Sequence, residues 1–280
     1  MILNKQFESL HILASENFTP HQPYLEHNNQ YYSYKPDIDD SLYGIVWEVY
    51  QVNMFDSSKL IAFPDICADF MVFYSDSKAR CYLMEGTKEL RSMTDLNFIS
   101  EIKTIFGVRF CSGSIGELFC SGVRDLGNSI VEADCAFIDG EDTISQLSEA
   151  KTFKERWYIV RNYLEKRLQC ENYKNQLTKY VLKTVINNHG SIRIKSLEEK
   201  TGYTNRYINK KINESIGVSV KKFCEIVQFH WSYQLFHNEN RSISLSELAI
   251  ESGYYDQSHM NLSYKRLTGN LPSNILNIYI

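Results

Sequence analysis

With 280 residues, 43% apolar and 23% charged, the chain is long enough for two cored domains and too mixed for a disordered or fibrous protein. Its formal charge of −4 is unevenly spread: from Tyr173 onward 14 Lys and Arg stand against 8 Asp and Glu, and before Tyr173 16 stand against 26. A basic C-terminal third on an acidic remainder is the footprint of nucleic-acid binding confined to one end, and argues against a uniformly acidic binder. No apolar run of about 18 residues occurs, so no membrane span or membrane partner is expected. The first twenty residues, MILNKQFESLHILASENFTP, lack a basic-then-apolar leader, which predicts a cytoplasmic protein.

Residues 1–40 are polar and aromatic with little periodicity, and predict an arm or loop with one short strand. His11, His21 and His27 lie there without the i, i+4 spacing or companion ligands of a metal site, so a solvated arm is expected. From Ser41 the texture changes. Ile45–Tyr50, Phe70–Tyr74, Arg80–Leu83 and Thr104–Phe110 are short β-branched and aromatic runs separated by Asp, Ser, Gly and Lys, the pattern of a β-rich sandwich or barrel. Residues 113–135 hold four glycines between strand-like and helical patterns. Ile144–Cys170 reads as one helix with Phe153, Trp157, Val160, Tyr163 or Leu164, and Leu168 in period. A further helix is expected over Tyr173–Asn187, and a boundary separates residues 1–170 from 171–280.

The seven cysteines, Cys67, Cys81, Cys111, Cys120, Cys135, Cys170 and Cys224, form no C-x-x-C pair and no zinc spacing, which suits reduced, mostly buried thiols. Arg109 and Cys111 would share a strand face, making Cys111 the better thiol-sensor candidate, although a buried structural cysteine is the plainer reading. No phosphate loop, nucleophile elbow or H-E-x-x-H motif occurs, so neither catalysis nor a cofactor is expected.

The most informative stretch is SLSELAIESGYYDQSHMNLSYKRLTGNLP, Ser244–Pro272. Leu245, Leu248 and Ala249 give a short helix one apolar face, Gly253 breaks it, and Asp256 can cap a second helix. There Met260, Ser263, Tyr264 and Leu267 share one side, while Ser258, Asn261, Leu262 and Lys265 lie opposite. The arrangement recurs in SLEEKTGYTNRYINKKINESIG, Ser196–Gly217, with Thr204 as the cap, Ile208 and Ile212 inward, and Arg206, Asn209, Lys210 and Asn213 outward. Val220–Phe236 reads as a single helix between the copies, spanning roughly 25 Å. Two helix-turn-helix units so spaced bring their second helices about 34 Å apart, one turn of B-DNA.

These residues resemble a known family. GYYDQSHMNLSYKRLTGNLP and GYTNRYINKKINESIGVSVKKF are similar to the second and first helix-turn-helix units of AraC/XylS-type transcriptional regulators, from Tyr173 to the end. The resemblance places DNA-reading positions on Arg206, Asn209 and Lys210 and on Gln257, Ser258, His259 and Asn261; Lys265, two turns into its helix, is expected on phosphate. Leu262 stands where the family carries arginine, Met260 where it carries phenylalanine and Val220 where it carries proline. Ile226 and Gln228 also replace common arginines. Fewer guanidiniums predict weaker reading by the second unit. More weakly, Tyr34-x-Pro36, Pro64-Asp65 and Gly107-Val108-Arg109-Phe110 resemble a sensory or dimerising β-domain, often cupin-like, in one branch of that family.

The expected fold is therefore α+β and multidomain: a β-rich, barrel or cupin-like N-terminal domain ending in helices, then an all-α domain with two helix-turn-helix units. The expected function is a sequence-specific transcriptional regulator whose partners are double-stranded promoter DNA and RNA polymerase. A small-molecule effector or a homodimer would act through the N-terminal domain. The alternatives are a thiol-responsive regulator or, in another class, a DNA-repair alkyl-acceptor protein, whose four-cysteine zinc site and P-C-H-R motif are not in the sequence.

Overall fold

Alternating side chains organise the N-terminal part of the protein. Strands β1 (Tyr31–Tyr34), β2 (Val46–Asn53), β4 (Ala68–Tyr74), β5 (Ala79–Met84), β7 (Thr104–Phe110) and β8 (Ile130–Glu132) form an antiparallel sheet in the order β1-β2-β7-β4-β5-β8. Strands β3 (Ile61–Ala62) and β6 (Arg91–Ser92) pair separately. This computed structural model describes residues 20–22, 30–53, 61–84, 91–92, 101–111, 114, 130–132, 140–168, 176–237 and 243–277. His11, His27, Cys120, Cys135, Cys170, most of 113–135 and the expected boundary at 170/171 lie outside the described residues.

The period of two sends Val49, Phe70, Val72, Leu83, Phe106, Val108 and Phe110 to one sheet face. Helices α1 (Glu141–Glu149) and α2 (Phe153–Leu168) cover that face with Leu147, Val160, Tyr163 and Leu164. The other face is buried as well, and it is polar at its centre. Tyr50 pairs across the strands with Gly107, where a Cβ would lie 2.1 Å from the tyrosine ring. The missing side chain lets the Tyr50 hydroxyl donate to Asp69 at 3.0 Å, and Asp69 also accepts from Arg109 Nε at 3.2 Å. This accounts for the Gly-x-Arg pattern of β7. Among the described residues β1 and β8 are the end strands of this sheet and are not paired with one another.

The single helix expected over Ile144–Cys170 is two. Ala150 is extended, and Thr152 starts a new helix: its hydroxyl accepts from Glu155 N–H, while the Glu155 carboxylate accepts from the Thr152 and Lys151 amides. This reciprocal capping satisfies free amides at the start of α2. Donation from Lys151, then from Thr152, holds the Glu155 carboxyl below its usual range.

Seven helices follow among the described residues: α3 (Gln176–Asn187), α4 (Ile194–Thr201), α5 (Asn205–Ile216), α6 (Val220–Phe236), α7 (Leu245–Glu251), α8 (Gln257–Thr268) and α9 (Pro272–Leu276). Helix α6 is their axis. Its side chains are buried on most sides, with Phe223, Ile226 and Phe229 fully enclosed, and each such burial stabilises by about 1.5–3 kcal/mol. Phe63, Ile66 and Cys111 from the N-terminal part join the same apolar cluster. Residues flanking β4 and β7 therefore share one apolar core with the helices.

Candidate nucleic-acid interface

Each helix-turn-helix unit is built by local chemistry. In the first, α4 ends on Gly202 at φ 71°, and Thr204 caps α5 by accepting from Tyr207 N–H. In the second, Ser244 and Glu247 form a capping box on α7, and Asp256 caps α8 by accepting from His259 N–H at 2.7 Å. Such caps contribute roughly 0.5–2 kcal/mol each and fix where the helices begin. The predicted inner faces are buried: Ile208 and Ile212 in α5, and Met260, Ser263, Tyr264 and Leu267 in α8.

The outer faces differ in how much side-chain chemistry they leave available. On α5, Arg206 and Lys210 are exposed, and Lys210 is 4.0 Å from Glu214. Asn209 is half-buried and hydrogen-bonded within the protein. Its Oδ1 accepts from Val220 N–H, the first amide of α6, at 3.0 Å, and its Nδ2 donates to the Asn205 carbonyl. These bonds occupy part of the donor–acceptor set that would read adenine and tie α5 to α6.

On α8, Ser258, His259, Leu262 and Lys265 are exposed and Asn261 is half-buried. Leu262 is 58% exposed, so it does not serve the core. His259 Nδ1 accepts from Tyr255 N–H, which leaves the proton on Nε2 as an outward donor. Gln257 Oε1 accepts from Ser246, so Gln257 holds α7 to α8 with the group expected to read bases. Arg266 is drawn to Glu225 of α6 at 3.4 Å.

Two features escaped the sequence reading. Tyr203 and Tyr207 stack with centroids 5.0 Å apart beside Arg206, and Tyr255 is 86% exposed at the entrance to α8. Aromatic residues flanking a helix start were the available signal.

Among the described cysteines the thiol alternative finds no reactive group. Burial pushes the Cys111 thiol up to about 12, and Arg109 is committed to Asp69. Cys67, Cys81 and Cys224 are buried too, and burial raises Cys224 to about 12. A thiol that stays protonated is a poor nucleophile. The solvated-arm reading is also corrected at His21, which is half-buried with its backbone amide bonded to His230 of α6. Among the described residues no group of three or more His, Cys, Asp or Glu could hold a metal ion, and no helix is long and apolar enough to cross a membrane.

No protein-family model and no curated protein matches the chain. Among solved structures it is similar to ToxT from Vibrio cholerae, at 14% identity and a TM-score of 0.43, over 89% of this chain and 98% of that one. A ToxT structure from strain SCE256 with an unsaturated fatty acid bound matches at 13% identity and a TM-score of 0.40, over 89% and 95%. Likeness of this degree is too slight to transfer a function.

Proposed function

We propose that this protein is a DNA-binding transcriptional regulator of the AraC/XylS type, with α5 and α8 entering successive major-groove segments of promoter DNA. The observation that carries the reading is the duplication itself: two capped helix-turn-helix units, apolar inside and polar outside, seated on one buried spacer helix. An ordinary helical bundle has no need to repeat a turn, a cap and an outward face at this spacing.

Within this reading the first unit presents Arg206 and Lys210 to bases. The second presents Ser258, His259 Nε2, Asn261 and Leu262, with Lys265 on phosphate and Leu262 against a thymine methyl. Tyr203, Tyr207 and Tyr255 can donate to phosphate oxygens at the rims. Asn209 and Gln257 act from behind, by fixing the angles of α5 and α8. The N-terminal part supplies the regulatory input, a small effector or a second copy, and the RNA polymerase contact belongs to the DNA-bound state.

The test is footprinting of the full chain on a duplex selected from a random pool. Two protected major-groove segments about one turn apart, on one face of the duplex, are expected. A single segment, or uniform protection, would contradict the two-reader arrangement.

A further inference from the structure

The joint between the sheet and α6 is built around one histidine. His230 is 1% exposed, and both ring nitrogens are used across the joint. Nε2 lies 2.8 Å from the Pro64 carbonyl oxygen, which can only accept. Nδ1 lies 3.1 Å from the His21 amide nitrogen, which can only donate. Together these partners admit one arrangement: a neutral imidazole with its proton on Nε2 and its lone pair on Nδ1.

The two segments that grip His230 are themselves tied together. Gln22 Oε1 accepts from Phe63 N–H at 2.8 Å, and its Nε2 donates to the Phe63 carbonyl at 3.1 Å and to Asp65 Oδ2 at 2.7 Å. The Phe63 ring packs edge-on against Phe229 and Tyr233 of α6, with centroids 5.6 and 5.4 Å away. Residues 20–22 and 63–67 therefore form one unit, and His230 bonds to both halves of it.

We infer that His230 is a proton-sensitive latch between the N-terminal sheet and the spacer helix, closed when the imidazole is neutral and loosened when it is protonated. A proton taken from water onto Nδ1 uses the lone pair that accepts from His21, and two N–H groups then face one another. The bond to Pro64 survives; the bond to His21 is replaced by repulsion between donors. The docked state thus binds one proton fewer than the undocked state. Docking weakens as pH falls below about 6.5, where an exposed histidine takes its proton, by up to roughly tenfold per pH unit.

Other titratable groups surround the site. The His21 ring lies 6.4 Å from that of His230, and Tyr233 follows on α6, with His237 against it. From the 63–67 side come Asp65 and Cys67, with Asp69 and Arg109 acting on them from the sheet. The Asp65 carboxylate is held by Gln22 and the Cys67 amide. Burial pushes it up to about 7, so acid neutralises it and tightens its own loop. Its effect runs against the latch, and any loosening in acid is not of its making.

The inference concerns docking and holds whether or not the chain binds DNA. Hydrogen–deuterium exchange of the full chain, each rate normalised to intrinsic exchange, would follow residues 61–67 between about pH 8 and about pH 5.5. His230→Gln retains a donor near the Nε2 position and cannot take a proton. Protection in the wild type relative to His230→Gln should fall by up to roughly tenfold on acidification. Parallel pH dependence in the two chains overturns the latch. Nitrogen-15 NMR of the wild type provides a second reading should the variant fold poorly: the Nε2–H tautomer is expected at about pH 8, and Nδ1–H overturns the assignment.

Discussion

Gln228 Nε2 donates to the Ser252 carbonyl oxygen at 2.9 Å, so the middle of the spacer helix grips the turn of the second helix-turn-helix unit. On the same stretch of α6, Gly190 lies against the Cys224 carbonyl, and Gly253 meets Ser191 from the turn that precedes the first unit. Both units are therefore referenced to one short segment, Cys224–Gln228. Gln228 thus ties the spacer helix to the turn of the second unit.

Gln228→Ala should leave the Ser252 carbonyl unpaired in a buried setting and cost roughly 1–3 kcal/mol. Urea unfolding measures that loss. In the proposed function it should also reduce affinity for a two-half-site duplex more than for a single half-site. Equal reduction on both would show that Gln228 does not set the spacing.

The glycines separate strain from space. Gly202 has φ 71° and open surroundings, so Gly202→Ala should cost only the left-handed penalty, roughly 1–2 kcal/mol. Gly190 has φ 76°, and its Cβ would come 2.3 Å from the Cys224 carbonyl, so Gly190→Ala must also push backbone apart. Thermal denaturation should rank Gly190→Ala well below Gly202→Ala; equal melting temperatures would contradict the close approach.

Much of this architecture was legible because its signals are local. Helix α6 spans Val220–Phe236 as its apolar pattern predicts, and the Thr204 and Asp256 caps lie where a polar residue precedes a periodic run. The split between α1 and α2 was missed because no Gly or Pro marks it; the mark is Thr152-x-x-Glu155, a capping box inside an apparently continuous pattern. Asn209 sits on the outward side of α5 by periodicity, but its partner Val220 belongs to the next helix, and helical spacing carries no information about that approach. His21 and His230 are 209 residues apart, and no short-range pattern could join them.

Asp65 gives the N-terminal part a pH signature. Burial first, and the Asp69 charge second among the raising influences, lift its carboxyl to about 7, while Arg109 and Gln22 pull it down. The folded state thus holds a proton that the unfolded chain releases near 3.9. Its contribution is fully present below that value and is lost as pH rises towards 7. Chemical denaturation between about pH 4 and 7 should show this loss as a downward slope, flattened in Asp65→Asn. An unchanged slope in the variant would assign the proton elsewhere.

The two readers should differ in stringency. Arg206→Ala and Lys210→Ala should each cost roughly 1–3 kcal/mol on a specific duplex and relax base preference under α5. Lys265→Ala should weaken all duplexes alike, and the half-site under α8, where exposed Leu262 replaces a guanidinium, should tolerate mismatches or prefer A·T pairs. A base-by-base substitution scan decides this; equal intolerance of mismatch in both half-sites would contradict the asymmetry.

DNA binding by the full chain is tested most directly by titrating it with a selected duplex over a range of salt concentrations. The outward cations Arg206, Lys210 and Lys265 predict an affinity that falls with salt, by about 0.9 in log–log slope for each phosphate neutralised. Arg206→Ala with Lys265→Ala should make that slope shallower. Binding that does not change with salt, or no binding at low salt, would contradict the proposed function.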